Sequence, residues 1–198
     1  MKKNILTSMA IIAIMFTSCD HFDNINNNPN DPTEVSPQLI LPNVCQSAFY
    51  RGTDGMYADK MVVQTDGHNS EQFYEWNRGS FSTYSNELLQ VTKLKEEADR
   101  TGQSVYEGLY HFFRAYHFFN LTLKFGDIPY SEALKGEKEA MFTPKYDSQE
   151  EVFAGILDEL QQSSELLAAA ADKEEIISGD IIYGGSSAKW QRLVNSFR

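Results

Sequence analysis

The sequence predicts a mainly α-helical protein, built from tetratricopeptide-like stacked helical hairpins with long loops between them. Apolar residues recur at helical spacing from Pro37 onward, and Gly, Pro and Asn separate these runs. No alternating pattern typical of strands competes with them. No repeat of about 34 residues, the tetratricopeptide period, is visible, so the hairpin arrangement is predicted from the number and length of the helices alone.

Residues 1–18 have the layout of a lipoprotein signal peptide. Lys2 and Lys3 give a positive start, and Ile5–Phe16 is an uncharged, mostly apolar stretch. This stretch is shorter than the roughly 20 residues that cross a bilayer. The residues before Cys19 resemble a bacterial lipobox, so we expect Cys19 to be lipidated and to anchor the mature chain in the membrane. The alternative is an ordinary secretory signal with an incidental cysteine.

Residues 19–36 are predicted to be an extended tether, because Asn, Asp and Pro are dense there and oppose a helix. A calcium loop is the alternative, but the regular spacing of acidic residues with a closing Glu is absent. The other cysteine, Cys45, lies in an apolar helical stretch and is expected to be a buried thiol without a disulfide partner.

Six helices are predicted after the tether. They are a helix around residues 39–49 that stops at Arg51 and Gly52, Met56–Gln64, Ser82–Thr101, Ser104–Phe125, a helix capped by Ser148 that runs to about Ala171, and one that begins near Ser186.

The predicted helix Ser104–Phe125 is the most apolar of the mature chain, and we expect it to be a central helix packed on two sides. The last helix carries a sharp apolar stripe of Trp190, Leu193, Val194 and Phe197. No later segment of the sequence is available to cover that stripe, so the fold is expected to be incomplete at the C-terminus.

Composition and motifs argue against several functions. With 17 basic and 28 acidic residues, the chain has a formal charge of −11, which argues against nucleic acid as a partner. There is no HExxH, CxxC, GxSxG or Walker motif, so we expect no cofactor, no metal and no enzymatic activity. His111 and His117 lie about 240° apart around one helix and are interpreted as partners of buried polar groups. Glu71 and Glu75 are the catalytic alternative, as a glycosidase acid/base pair.

Residues 66–79, which we call the aromatic loop, are predicted to be irregular. Sugar rings stack their C–H faces on aromatic rings, while amide and guanidinium groups bind their hydroxyls. The candidate ligand-binding residues are Tyr74, Trp76, Asn77 and Arg78, beside Gln72 and Phe73. The alternative is that these aromatic residues anchor the loop to the helical core, where large aromatic side chains usually lie.

Four segments, in order along the chain, resemble the SusD/RagB family of nutrient-binding outer-membrane lipoproteins. They are residues 22–33 (FDNINNNPNDPT), residues 125–133 (FGDIPYSEA), residues 144–150 (PKYDSQE) and residues 179–185 (GDIIYGG) followed by Trp190, Asn195 and Ser196. Two of these segments, 125–133 and 144–150, also read as turn and cap motifs.

The resemblance implies that residues 37–198 are the N-terminal part of a SusD-like helical domain, since members are well over twice this length. It implies a surface-exposed lipoprotein that binds an oligosaccharide or peptide and delivers it to a SusC-like TonB-dependent transporter, without an enzymatic step. Two alternatives stay open. One is a helical scaffold lipoprotein that binds proteins only, and the other is a truncated fragment without nutrient binding.

Overall fold

Eight α-helices lie in the part of the chain that the computed structural model describes, namely residues 34–49, 54–75 and 79–198. They are α1 (Pro37–Phe49), α2 (Asp54–Ala58), α3 (Ser82–Ser85), α4 (Glu87–Thr101), α5 (Ser104–Phe125), α6 (Gly136–Glu139), α7 (Gln149–Asp172) and α8 (Ser187–Phe197). Within these residues no strand forms, and only two isolated antiparallel bridges occur. The mainly α prediction is confirmed.

The contacts of the chain divide it into residues 1–34 and residues 35–198, and all eight helices belong to the second unit. The predicted signal peptide, the lipidation site Cys19 and most of the predicted tether lie outside the described residues.

The four long helices α4, α5, α7 and α8 form consecutive antiparallel hairpins. Two helices are antiparallel when, along their contact, the residue numbers of one helix fall while those of the other rise. The pairs are Lys95 with Glu107, continued by Tyr84 of α3 with Phe118, then Ser163 with Gly108 and Phe153 with Phe119, then Ser164 with Asn195 and Gln161 with Arg198, which directly follows α8. The predicted arrangement of stacked hairpins is therefore confirmed.

Helix α5 is the centre of the described fold. It packs against α4 on one side and α7 on the other, and it also contacts α1. Phe112, Phe113 and Phe118 of this helix are almost completely buried. A helix that is apolar around most of its circumference needs partners on more than one side, and these neighbours supply them.

The apolar stripe of α8 is covered, contrary to the expectation from the sequence. Trp190 and Val194 have no exposed surface. The Trp190 ring lies 5.7 Å from Phe112 and 5.5 Å from Phe113, and Phe49 of α1 is 6.3 Å away. Leu193 and Phe197 pack against the same core. Periodicity shows that a helix has an apolar face, but the residues that cover it come from distant parts of the chain.

The ends of two long helices follow the sequence signals. The capping box at Ser148 is confirmed, since its hydroxyl accepts from the Glu151 N–H and the Glu151 carboxylate accepts from the Ser148 N–H. Gly102 ends α4 in the left-handed region, with φ +67°.

Two helix predictions are wrong. The predicted helix Met56–Gln64 is replaced by α2, which ends at Ala58 and is followed by a turn with Lys60 at φ +59°. Met61 and Val63 are 72% and 60% exposed, so this segment has no apolar surface to pack on, and short helices depend on such packing.

The predicted helix Ser82–Thr101 is interrupted at Asn86, which separates α3 from α4. The Ser85 hydroxyl donates to the Ser82 carbonyl at 3.1 Å. Serine and asparagine side chains compete with the backbone for such hydrogen bonds, and the polar start of this segment is therefore not one continuous helix.

The buried polar side chains give mixed outcomes. Cys45 is a fully buried free thiol, as predicted, and burial raises its pKa to about 12. His111 fits its interpretation, because its Nδ1 is hydrogen-bonded to Glu159, which also accepts from Arg114. For His117, the Nε2 atom is buried and has no hydrogen-bond partner among the described residues. Burial lowers the pKa of His117 to about 4.

None of the described helices combines the length and the hydropathy that a membrane span requires.

Candidate ligand-binding site

The described part of the aromatic loop is shaped by side-chain amides. The Gln72 N–H donates to Asn69 Oδ1 at 2.9 Å, and the Gln64 N–H donates to Gln72 Oε1 at 2.8 Å. The Glu75 N–H also donates to the Ser70 carbonyl at 2.9 Å. These local bonds satisfy the backbone of the loop without a helix or a strand.

Phe73 and Tyr74 project from this loop into solvent. They are 56% and 55% exposed, and neither packs against the hydrophobic core. The alternative interpretation, in which the aromatic residues anchor the loop to the core, is therefore wrong for these two. Tyr74 has φ +57°, a region that non-glycine residues rarely adopt, so the loop keeps this ring outward at some conformational cost.

Both exposed rings have polar partners. The Lys60 ammonium donates to the Gln72 carbonyl and lies 4.4 Å from the centre of the Tyr74 ring. The His68 ring is stacked on Phe73 at 5.1 Å, and His68 Nε2 is 2.8 Å from Glu75 Oε2. Each ring is thus held by a polar neighbour while more than half of its surface remains open.

Of the four predicted ligand-binding residues, the structure describes only Tyr74. Trp76, Asn77 and Arg78 lie outside the described residues. Sequence reasoning missed Lys60, and no local pattern could have shown it, because the turn after α2 brings it to Tyr74. Among the described residues, no three His, Cys, Asp or Glu side chains form a group that could hold a metal ion.

The exposed rings and the polar groups around them suit a flat, partly apolar ligand such as a sugar ring. Such a ligand stacks on an aromatic face and exchanges hydrogen bonds with amides and charged groups at its rim. The alternative of a glycosidase acid/base pair receives little support, because the Glu75 carboxylate is in contact with His68.

A second irregular region consists of residues 126–133 packed against residues 144–149, and we call it the signature junction. The Asp147 carboxylate lies at its centre and is 3% exposed. It accepts from the Tyr130 N–H at 3.0 Å, from the Ser131 N–H at 2.7 Å and from the Ser131 hydroxyl at 2.9 Å. Burial by itself raises the pKa of Asp147, but hydrogen bonds from Ser131, Lys145 and Tyr130 outweigh it and hold the pKa at about 2.

The signature junction connects three helices. The Tyr84 hydroxyl, from α3, donates to the Pro129 carbonyl at 2.5 Å, and the Arg114 guanidinium, from α5, donates to the Tyr130 carbonyl at 3.2 Å. At the start of α7, the Gln149 N–H donates to Asp127 Oδ1 at 2.9 Å. Two of the four segments that resemble the family thus act as a structural joint, which agrees with their interpretation as turn and cap motifs.

The segment at residues 179–185 is also structural. Asp180 accepts from the N–H groups of Ile182 and Gly185, both at 2.8 Å. Gly179 has φ +80°, and a Cβ atom there would lie 2.1 Å from the Gln38 carbonyl oxygen. Only glycine fits this contact between the segment and α1.

An apolar groove of about 300 Å³ lies beside the signature junction, and sequence reasoning did not anticipate it. Its aromatic walls are Phe81, Tyr84 and Tyr146. Tyr146 is 63% exposed. The groove offers few polar groups, so it fits a sugar less well than the aromatic loop does.

Comparisons with known proteins agree with this architecture. Residues 29–198 match the SusD-like family described as "Starch-binding associating with outer membrane". A solved SusD homologue from Bacteroides fragilis NCTC 9343 has 53% identity and a TM-score of 0.71, with coverage of 83% of this chain and 34% of that one. A Bacteroides vulgatus ATCC 8482 outer-membrane protein, described in connection with nutrient binding, has 47% identity, a TM-score of 0.68 and coverage of 82% and 35%.

A second SusD homologue from Bacteroides fragilis NCTC 9343 has 29% identity and a TM-score of 0.69. The match covers 82% of this chain and 34% of that one. The chain therefore spans about a third of the length of these solved relatives. No curated protein matches it.

The fold defines a protein of stacked, tetratricopeptide-like helical hairpins with an exposed aromatic loop. The chain belongs to the SusD-like family, whose members are outer-membrane-associated binding proteins.

Proposed function

We propose that this protein binds an oligosaccharide at the cell surface and delivers it to a SusC-like TonB-dependent transporter. The observation that carries the proposal is the exposure of Phe73 and Tyr74, which are adjacent in sequence, on a loop rich in hydrogen-bonding groups. The family description as starch-binding supports a glycan over a peptide as the ligand. Trp76, Asn77 and Arg78 are proposed to complete the site.

Titration of the full chain with maltooligosaccharides of increasing length tests this binding. The stacking of a nucleic-acid base on an aromatic side chain contributes about 1–3 kcal/mol to binding. We expect a sugar ring stacked on Tyr74 to contribute a similar binding free energy, so Tyr74→Ala should weaken binding about tenfold or more. Tyr146→Ala is the matched control, because Tyr146 is a similarly exposed tyrosine in the apolar groove. Weaker binding in Tyr146→Ala with no change in Tyr74→Ala would transfer the site to the groove.

The anchor is proposed to be lipid on Cys19, at the end of a tether formed by residues 19–36. In cells that are fed a labelled palmitate precursor, Cys19→Ala should lose the label and the membrane association. Cys45→Ala, which removes the buried thiol, should keep both. Retention of label in Cys19→Ala would overturn the lipoprotein assignment.

The transporter partner is proposed from the family resemblance and from the outer-membrane association of the family. Capture of the tagged, lipidated chain from solubilised outer membranes should enrich a TonB-dependent transporter. Absence of both transporter and saccharide binding would instead favour a scaffold lipoprotein. Release of shorter saccharides during the titration would contradict the proposal that no catalytic step occurs.

A further inference from the structure

A polar cavity of about 410 Å³ lies between α1, α3, α4 and α5, at a place that the proposed saccharide site does not use. Its polar lining comes from Ser47, Thr83, Glu87, His117, Asn120 and Lys124. A neighbouring hollow of about 290 Å³ shares Ser47 and Glu87 with it, so the two spaces adjoin. Together they can admit a monosaccharide or a short peptide segment.

Two residues that line this cavity each carry a buried polar atom without a hydrogen-bond partner in the described part of the chain. Glu87 Oε2 and His117 Nε2 are both buried, and neither has a hydrogen bond within the described residues. His117 is only 5% exposed. A buried polar atom without a partner costs about 1–3 kcal/mol, and more when it is charged, so a bound donor that reached these two atoms would gain free energy.

The groups around the cavity are mainly acceptors. Glu87 carries a carboxylate, and a neutral imidazole accepts through one of its nitrogens. Burial keeps His117 neutral above about pH 4, the value of its pKa. Asn120 uses its amide nitrogen to donate to the Tyr116 carbonyl at 2.8 Å, which leaves its Oδ1 as a further acceptor.

We propose that this cavity binds the primary ammonium group of a ligand, with Glu87 as its charge partner and His117 Nε2 and Asn120 Oδ1 as additional acceptors. An ammonium group has three N–H donors and no acceptor, so it matches three acceptors of which one is charged. The ammonium belongs either to an amino sugar or to the amino terminus of a peptide. The proposal does not rest on the aromatic loop.

Lys124 is the one cationic side chain in the described lining, and it is exposed. Its charge opposes an ammonium ligand through solvent rather than through direct contact. Removal of this charge should therefore strengthen ammonium binding.

The test is calorimetric titration of the full chain at about pH 6, where amines are protonated. Glucosamine and diglycine are the two ammonium probes. Glucose and N-acetylglucosamine are the controls that lack the charge. If glucosamine binds and glucose does not, the ligand is an amino sugar. If only diglycine binds, the ligand is a peptide amino terminus. Equal binding of glucosamine and glucose, or no saturation by either amine up to about 10 mM, overturns the proposal.

Variants connect binding to the named residues. Glu87→Gln preserves the side-chain shape and should weaken ammonium binding about tenfold or more. Lys124→Met should strengthen it by about twofold to fivefold. Glu150→Gln, at an exposed position of α7, should leave it unchanged. Unchanged amine affinity in a folded Glu87→Gln protein would assign Glu87 to the fold alone.

Discussion

The aromatic loop and the signature junction are both irregular segments, but they are built in opposite ways. In the signature junction, one buried carboxylate, Asp147, collects donors from two residues of the opposing segment. In the aromatic loop, polar contacts are made at the surface, and the large apolar side chains Phe73 and Tyr74 face solvent. The difference indicates that the junction serves stability, whereas the proposed recognition of ligand falls to the loop.

Buried charged hydrogen bonds are strong because no water competes for the donors, whereas exposed ones contribute little. Substitutions in the signature junction should therefore change the free energy of unfolding. Substitutions in the aromatic loop should change ligand affinity and leave stability nearly unchanged.

The largest effect is expected from Asp147→Ala. Two backbone N–H groups and a hydroxyl lose their charged acceptor, so the free energy of unfolding should fall by about 3 kcal/mol in denaturant titrations. Asp158→Ala, an exposed carboxylate of α7, is the control and should change stability by less than about 0.5 kcal/mol. Similar losses in the two variants would contradict the contrast between buried and exposed carboxylates.

Gly179→Ala extends the comparison to the segment at residues 179–185. The added Cβ collides with the Gln38 carbonyl, so we expect a loss of about 2–3 kcal/mol. Gly102→Ala is the matched control, since Gly102 has a similar positive φ but nothing within 4 Å of the added carbon. It should cost only about 1 kcal/mol. Equal melting temperatures of the two variants would mean that the contact with α1 adjusts freely.

Acid should weaken the signature junction selectively. The pKa of Asp147 in the folded protein, about 2, lies below its ordinary value of 3.8. The stabilisation is therefore fully present above the ordinary value and is lost as the pH falls toward 2, with a total of about 2 kcal/mol.

Asp147→Asn has no carboxylate to protonate and should lack this part of the acid dependence. Glu96, whose pKa is also lowered, has no contribution from Asp147 and cancels in the comparison. Identical pH profiles of unfolding between about pH 5 and pH 2 would assign the acid sensitivity to other carboxylates.

The smallest effect on stability is expected from Lys60→Met. An exposed contact between an ammonium and an aromatic ring is worth about 0.5–1 kcal/mol, so saccharide affinity should fall a few-fold as the Tyr74 ring loses its support. The free energy of unfolding should change by less than about 0.5 kcal/mol. Lys173→Met, another exposed lysine, should change neither quantity. Loss of stability without loss of affinity would place Lys60 with the structural contacts.

Much of the fold could be predicted because its signals are local. The capping box at Ser148, the glycine that ends α4 and the apolar length of α5 are all features of neighbouring residues, and the structure reproduces each of them. The candidate site was predictable only in part. The residue types of the aromatic loop predicted a surface on which a sugar ring can stack. The exposure of Phe73 and Tyr74, however, depends on the absence of a nearby apolar surface.

By itself the sequence determined the helical class, the bounds of α5 and, to within about one residue, of α7, and the resemblance of four segments to the family. Only the tertiary structure decided that α5 and α1 cover the stripe of Trp190, that Lys60 reaches Tyr74 and that Glu87 and His117 border one cavity. The physical reason is distance along the chain. Capping and periodicity act over a few residues, whereas burial and charge pairing depend on which remote helices pack together.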